Sequence, residues 1–431
     1  MHVSGAWRLQ ALGPLTAGDV HHVTLSLSRV DGATEIARDR AELSPAELSR
    51  PILVSQLRSR SVYRLTARAY GAPGDDAGAL VSEPEQAASA AWRVEDLVGL
   101  PPLKLHLPLR AVPRLVLTTL AGKRTAGHTD GPALRAQLEA PAGLAVGAGG
   151  RVYVSEPSAH RIRVLTPSGE VRTLAGGTPG HQDGPLAGAR FRAPTGLVSD
   201  DQGFLYVADS GNHCIRRVTP EGTVETLTPK AGSEEGGPAA ALALVEPTGL
   251  ALGDGGELWV ADAAQHSICR VSPQGAVSTV AGGVAGDADG QGARAGFRRP
   301  QGLAWSRTGQ LFVADTGNHR LRVVTRDGRV TTLAGSVAGL EDGPAASARF
   351  REPAWLALGA GGQLYVADAA NHALRRVNPT GHVSTLLGAS PGFVDGPRPQ
   401  ALLASPAGLG FDGPLRLLVA DQGNHALRLL Q

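Results

Sequence analysis

The chain has 431 residues, enough for two or more hydrophobic cores, and carries a net charge of only +2. That balance gives no whole-molecule attraction to nucleic acid or to an anionic bilayer, and no stretch approaches the length of a membrane span. Gly (57) and Pro (30) are abundant but recur in register, which argues for turns and against disorder. Ala6–Leu15 is too polar for the apolar region of a signal peptide.

The first 110 residues read as β-structure. Val23–Leu27 and Tyr63–Ala69 alternate apolar and polar side chains. With Trp7–Leu12, Ile52–Leu57, Leu80–Ser82, Ala88–Val94 and Leu103–Leu109 they make about seven short strands. An immunoglobulin- or fibronectin-like β-sandwich over 1–110 is the expected fold. Ser44-Pro-Ala-Glu47 has the form of a capping box and predicts one short helix. Arg110–Pro113 then links to a second domain, 114–431.

That second domain is written in repeats. Pro-x-Gly-Leu or a close variant begins at Pro141, Pro194, Pro247, Pro300, Pro353 and Pro406, always 53 residues apart. Each copy later places an acid (Glu156, Asp209, Asp262, Asp315, Asp368, Asp421) and then a histidine (His160, His213, His266, His319, His372, His425). A fixed period of this length means a solenoid or a propeller. In the second copy Gly196–Ser199, Phe204–Ala208, Cys214–Val218 and Thr223–Leu227 read as four strands joined by tight Gly- and Asp-bearing turns. Such a meander cannot bury both faces alone, so copies must pack around an axis.

Val207–Arg216, Val313–Arg322 and Val419–Arg428, each with Ala-Asp followed by Gly-Asn-His, resemble NHL repeats. The resemblance covers about residues 113–431 and implies a six-bladed β-propeller. Ala159 and Gln265 depart from the signature asparagine, and Glu156 from the aspartate. The long blades, with crossovers such as Gly177–Ala193, are similar to those of teneurins, thioredoxin-linked NHL proteins and bacterial extracytoplasmic NHL proteins. An extracytoplasmic location is therefore the expectation.

The sixth copy ends at its third strand, and Arg114–Gly122, ending in Leu-Ala-Gly, supplies a fourth. The propeller is thus expected to close with an N-terminal strand, which removes open edges. The histidines and acids, being repeated, read as turn residues, the acids bonding backbone N–H groups two places on. The repeated arginines of the third strand read as long stems covering apolar surface. Cys214 and Cys269 are expected to be free thiols.

Functional candidates are the residues that break the repeat. Trp355 replaces a glycine, at the expected channel mouth. Arg190, Arg192, Arg298, Arg299, Arg349 and Arg351 flank crossover phenylalanines on the face shared with the Asn-His turns. These predict a non-catalytic recognition surface for a protein or glycan, in a monomer, with no nucleic acid partner. No catalytic residue, cofactor or metal is assigned. The alternative is a metal-dependent lactonase or lyase of propeller type, which would need ligands on the axial strands. Those strands offer Leu144-Ala-Val, Leu303-Ala-Trp and similar apolar runs, with no carboxylate, asparagine or histidine. Asp287-Ala-Asp289-Gly has the start of a calcium loop, but Arg298 stands where a bidentate glutamate would close it.

Overall fold

A computed structural model describes residues 115–228, 243–398 and 400–431, together with the backbone of seven strands before them. The chain divides into two units, Met1–Arg114 and Leu115–Gln431. In the first unit the strands are His2–Ala11, His22–Asp31, Thr34–Leu43, Ile52–Arg58, Val62–Tyr70, Ser89–Arg93 and Lys104–Leu107. The first, fourth and seventh form one sheet, with the first at its centre; the other four form a second, in the order third, second, fifth, sixth. Leu80–Ser82 and Ser44–Glu47 lie outside the described residues.

The second unit is a ring of six antiparallel sheets. Blade two is typical: Pro194–Ser199, Leu205–Asp209, Cys214–Val218 and Thr223–Thr226 follow one another outward from the axis. A fifth, two-residue strand, Gly184–Pro185 of the incoming crossover, pairs with the outermost. Periodicity does not predict it, because a strand of two residues has no period. Blade six is completed by Val116–Gly122, which pairs with Ala426–Leu430 and, on its other side, with Gly396–Pro397.

Six apolar clusters hold the ring together, each made by two neighbouring blades. Leu197, Val207 and Val218 of blade two meet Ala145, Ile162 and Ala175 of blade one. The last cluster joins Leu418, Leu427 and Leu429 of blade six to Leu144, Val152 and Val154 of blade one. The phrase glycines are required by this geometry. A Cβ at Gly143 would lie 2.1 Å from the Thr195 carbonyl oxygen, and one at Gly196 2.0 Å from that of Thr248. Only a residue without a side chain lets the inner strands approach so closely.

Candidate functional site

Each Asp-x-x-Asn-His segment forms a one-turn 3-10 helix that ends on the histidine in the left-handed region, as at Ser210–Asn212 with His213 at φ 60°. Three donors converge there on one buried carboxylate. Asp209 Oδ1 accepts the Arg192 backbone N–H at 2.7 Å, and Oδ2 accepts Asn212 Nδ2 at 2.8 Å and Arg216 Nη1 at 2.9 Å. Arg216 is itself fully buried, lies 5.1 Å over the Phe191 ring, and donates to the Arg190 and Gln182 carbonyls. Its outer nitrogen pairs with Asp183 of the crossover, which is half-exposed.

The same arrangement surrounds Arg163, Arg322, Arg375 and Arg428, each fully buried between an inner acid and a crossover aspartate. The repeated acids are therefore not caps for N–H groups two places on, and the arginines are not stems lying on apolar surface. They are halves of a buried ion pair, and burying a charge of this kind demands such a partner. Burial pushes the Asp209, Asp315, Asp368 and Asp421 carboxyls up, against the pull of their donors and arginines. Partial burial also opposes ionisation at Asp289, but the Thr332 N–H and hydroxyl and the Arg322 guanidinium together hold its carboxyl below the ordinary value.

The third blade departs as a set. Cys269 stands at the arginine position, buried, and Gly236 at the position of the crossover aspartate. Asp262 there accepts instead the backbone N–H groups of Val245, Glu246 and Gln265 and the Gln265 side-chain amide. Cys214 and Cys269 are both buried, and neither forms a disulfide.

The histidines act between blades rather than within their turns. His160 Nδ1 accepts the Ala193 N–H at 3.0 Å, His266 that of Arg299 at 3.1 Å, His319 that of Glu352 at 3.1 Å, and His372 that of Ser405 at 3.0 Å. His425 of blade six accepts the N–H of Ala140 ahead of blade one, at 3.0 Å. His213 is different, lying against the Val245 carbonyl. Every latched residue just precedes a phrase proline and has positive φ, between 44° and 51°.

This scaffold positions the candidate arginines. Arg192, Arg298 and Arg351 occupy one repeat position, and each gives its backbone N–H to a buried aspartate, at 2.7 Å. Arg190 and Arg349 occupy another, and their carbonyls accept from buried arginines. Arg299 hangs from His266. All six side chains are exposed. Arg299 pairs with Glu246 and Arg349 with Glu341 across the surface. Trp355 is placed differently: it is 8% exposed, packs in the core between blades five and six, and lines the axial cavity.

Asp287 pairs with Arg320 and Asp289 with Arg322, so the two carboxylates of the calcium-like loop already face cations of the protein. Among the described residues no group of three or more His, Cys, Asp or Glu side chains is arranged to hold a metal ion. No described helix is long and apolar enough to cross a membrane.

The profile of the NHL repeat matches residues 191–218 and 297–324, the end of a crossover and the first three strands of blades two and four. The chain thus carries NHL repeats, set in a six-bladed β-propeller. It is 30% identical over 334 residues to NHL repeat-containing protein 2 of Bos taurus, an alignment covering 65% of this chain and 44% of that one. The chain thus spans less than half the length of that curated relative. A Bacteroides thetaiotaomicron structural-genomics protein of unknown function superposes with a TM-score of 0.61 at 16% identity, covering 98% of this chain and 95% of that one. A Xanthomonas campestris gluconolactonase superposes with a TM-score of 0.50 at 19% identity, over 73% and 89% of the two chains. Both are likenesses of fold.

Proposed function

We propose that the NHL propeller is a non-catalytic recognition module that binds a protein partner on its crossover face, through Arg190, Arg192, Arg298, Arg299, Arg349 and Arg351. One observation carries the reading: Arg192, Arg298 and Arg351 are fixed at their backbones by buried carboxylates while their guanidinium groups stand exposed. Ordering these groups on binding therefore costs little backbone entropy, the condition for a pre-organised interface. Apolar side chains accompany them. Of the seven large hydrophobic residues exposed among those described, Leu134, Val245, Val284, Val337, Leu340 and Val394 lie on crossovers. Arginine is enriched at interface centres, and the aliphatic residues beside it supply apolar surface to bury.

A lactonase or lyase would place metal ligands on the axial strands, and the residues lining the axis include no acid, histidine or asparagine. For the first unit, the two separate antiparallel-rich sheets support an immunoglobulin- or fibronectin-like sandwich.

The test begins with affinity capture on immobilised protein. A partner so identified is purified and titrated by calorimetry against wild type and against the Arg192→Ala/Arg298→Ala/Arg351→Ala variant. We expect at least about a tenfold loss of affinity, from a combined loss of about 1.4 kcal/mol or more. Unchanged affinity would move the site off this face.

A further inference from the structure

We propose a second binding site, independent of the crossover face: the axial cavity of the propeller takes an uncharged, largely apolar small molecule carrying a planar ring. The cavity measures about 380 Å³ and is bounded by the inner strands of all six blades. That is the volume of a small-ligand site, since ligand pockets run from about 300 to 1,000 Å³. Its lining decides what can enter. Nineteen residues contribute, and none is ionisable; Ser199 is the one with a polar aliphatic side chain, and its hydroxyl is committed to the Val146 carbonyl at 2.8 Å. A charged ligand would find no counter-charge among these residues, so an uncharged one is favoured.

Three aromatic side chains stand in an otherwise aliphatic wall: Trp305, Trp355 and Phe411. Two are held rigidly from behind. The Trp305 ring stacks on Trp259 with centroids 5.0 Å apart, donates its N–H to Asp254 at 2.9 Å, and has the Arg326 guanidinium 5.6 Å over its face. Phe411 meets Tyr365 edge to face at 5.2 Å. Fixed rings of this kind favour a planar guest, which stacks or meets them edge-on. Hydrogen bonding in the cavity comes from the backbone. Each inner strand is the edge strand of its sheet, so no further strand pairs with its axial side. Such an edge offers N–H and C=O groups to whatever lies beside it. A guest with one or two neutral donors or acceptors fits that wall.

The ring of inner strands also supplies a position at the cavity wall, Gly410, for a substitution that narrows it. A Cβ at Gly410 would meet Val146 Cγ2 at 3.8 Å and Leu144 Cβ at 3.9 Å, ordinary contacts, and its backbone is unstrained. Val198 occupies the same repeat position in blade two, so a branched side chain already stands there in another blade.

The experiment titrates the full chain with N-phenyl-1-naphthylamine, an uncharged ring probe, and in parallel with 1-anilinonaphthalene-8-sulfonate, which adds an anion to a similar framework. The neutral probe should bind saturably, quench tryptophan emission by energy transfer from Trp305 and Trp355, and bind at least about tenfold more tightly than the anion. Gly410→Leu should weaken it by about tenfold or more, while Gly410→Ala leaves both binding and the thermal transition near those of wild type. Val337→Ser, on the crossover surface, should leave it unchanged. No saturable energy transfer, equal affinity for the two probes, or loss of binding on Val337→Ser but not on Gly410→Leu would overturn the proposal. If Gly410→Leu shifts the melting transition markedly, Ala304→Val, at the same repeat position in blade four, takes its place, and unchanged binding to it overturns the proposal equally. None of these outcomes depends on whether a protein binds the crossover face.

Discussion

Arg216 and Asp209 meet at 2.9 Å with neither side chain reaching solvent, and the same Arg216 reaches the surface only through Asp183. Each blade that keeps the pair is thereby pinned at one point in three ways: strand to strand, strand to crossover, and crossover to ring. Intact, a buried pair of this kind contributes little net stability; with one partner removed, the other is stranded.

Removing one partner should therefore be severe. Arg375→Ala and Asp368→Ala should each destabilise the propeller by about 3–5 kcal/mol. The double variant should fall short of the summed loss by about 1 kcal/mol or more, since the residues are in contact. Denaturant unfolding of the four proteins completes the cycle; strict additivity would refute the pairing seen between Arg375 Nη1 and Asp368 Oδ2 at 2.8 Å.

The six-bladed ring was legible because a period of 53 residues leaves few architectures, and because each Pro-x-Gly-Leu phrase opens a short apolar strand bounded by turn residues. The buried network was not, because an arginine in a half-apolar strand looks like a surface residue when read locally. A signal was nonetheless present. An acid stands 7 residues before each arginine and an aspartate 33 before it, as with Asp315 and Asp289 around Arg322. In blade three arginine and crossover aspartate vanish together, as Cys269 and Gly236. The histidine latches left no such trace, since their partners are backbone N–H groups of Ala193, Arg299 or Glu352, whatever the side chain.

His372→Ala would leave the N–H of Ser405 without the acceptor it has at 3.0 Å. The expected loss is about 1–3 kcal/mol, the penalty for an unsatisfied donor, reduced if water reaches it. Hydrogen exchange at the Ser405 amide should quicken in the variant; protection unchanged from wild type would show that the imidazole is not the partner.

Acid should weaken the hold of Asp289 on its crossover. The Asp289 carboxyl is held below its ordinary value in the folded state, so its contribution is present above the unfolded carboxylate range and is lost as pH falls through the folded value. Asp289→Asn should accordingly be less stable than wild type at neutral pH, by about 1 kcal/mol given its half-exposed side chain. That gap should close on acidification; a gap constant with pH would mean the aspartate acts only through its shape.

Trp355 fills space where its five counterparts are glycine, so restoring the repeat should harm the fold. Trp355→Gly should cost about 3–5 kcal/mol by opening a cavity between blades five and six. A melting temperature equal to that of wild type would show that the blades collapse onto each other there as they do at Gly302.

Neither thiol should react with a thiol reagent in the folded protein, and both should react once it is denatured without reductant. Burial also pushes the Cys269 thiol up, further lowering its reactivity. A native-state titration that consumes either thiol rapidly would contradict this placement.

The backbone N–H of Val116 donates to the Gln431 carbonyl at 2.8 Å, and that of Gln431 returns the bond to Val116 at 3.2 Å. The strand that opens the propeller thus lies beside the residue that ends it, so the order in which the blades are synthesised is not fixed by their geometry. A polypeptide joined from Gln431 to Leu115 by a short linker and opened instead within the 336–352 crossover would keep every sheet pairing and every imidazole latch. Its blades would emerge from the ribosome in a different sequence, with the same ring as the end point.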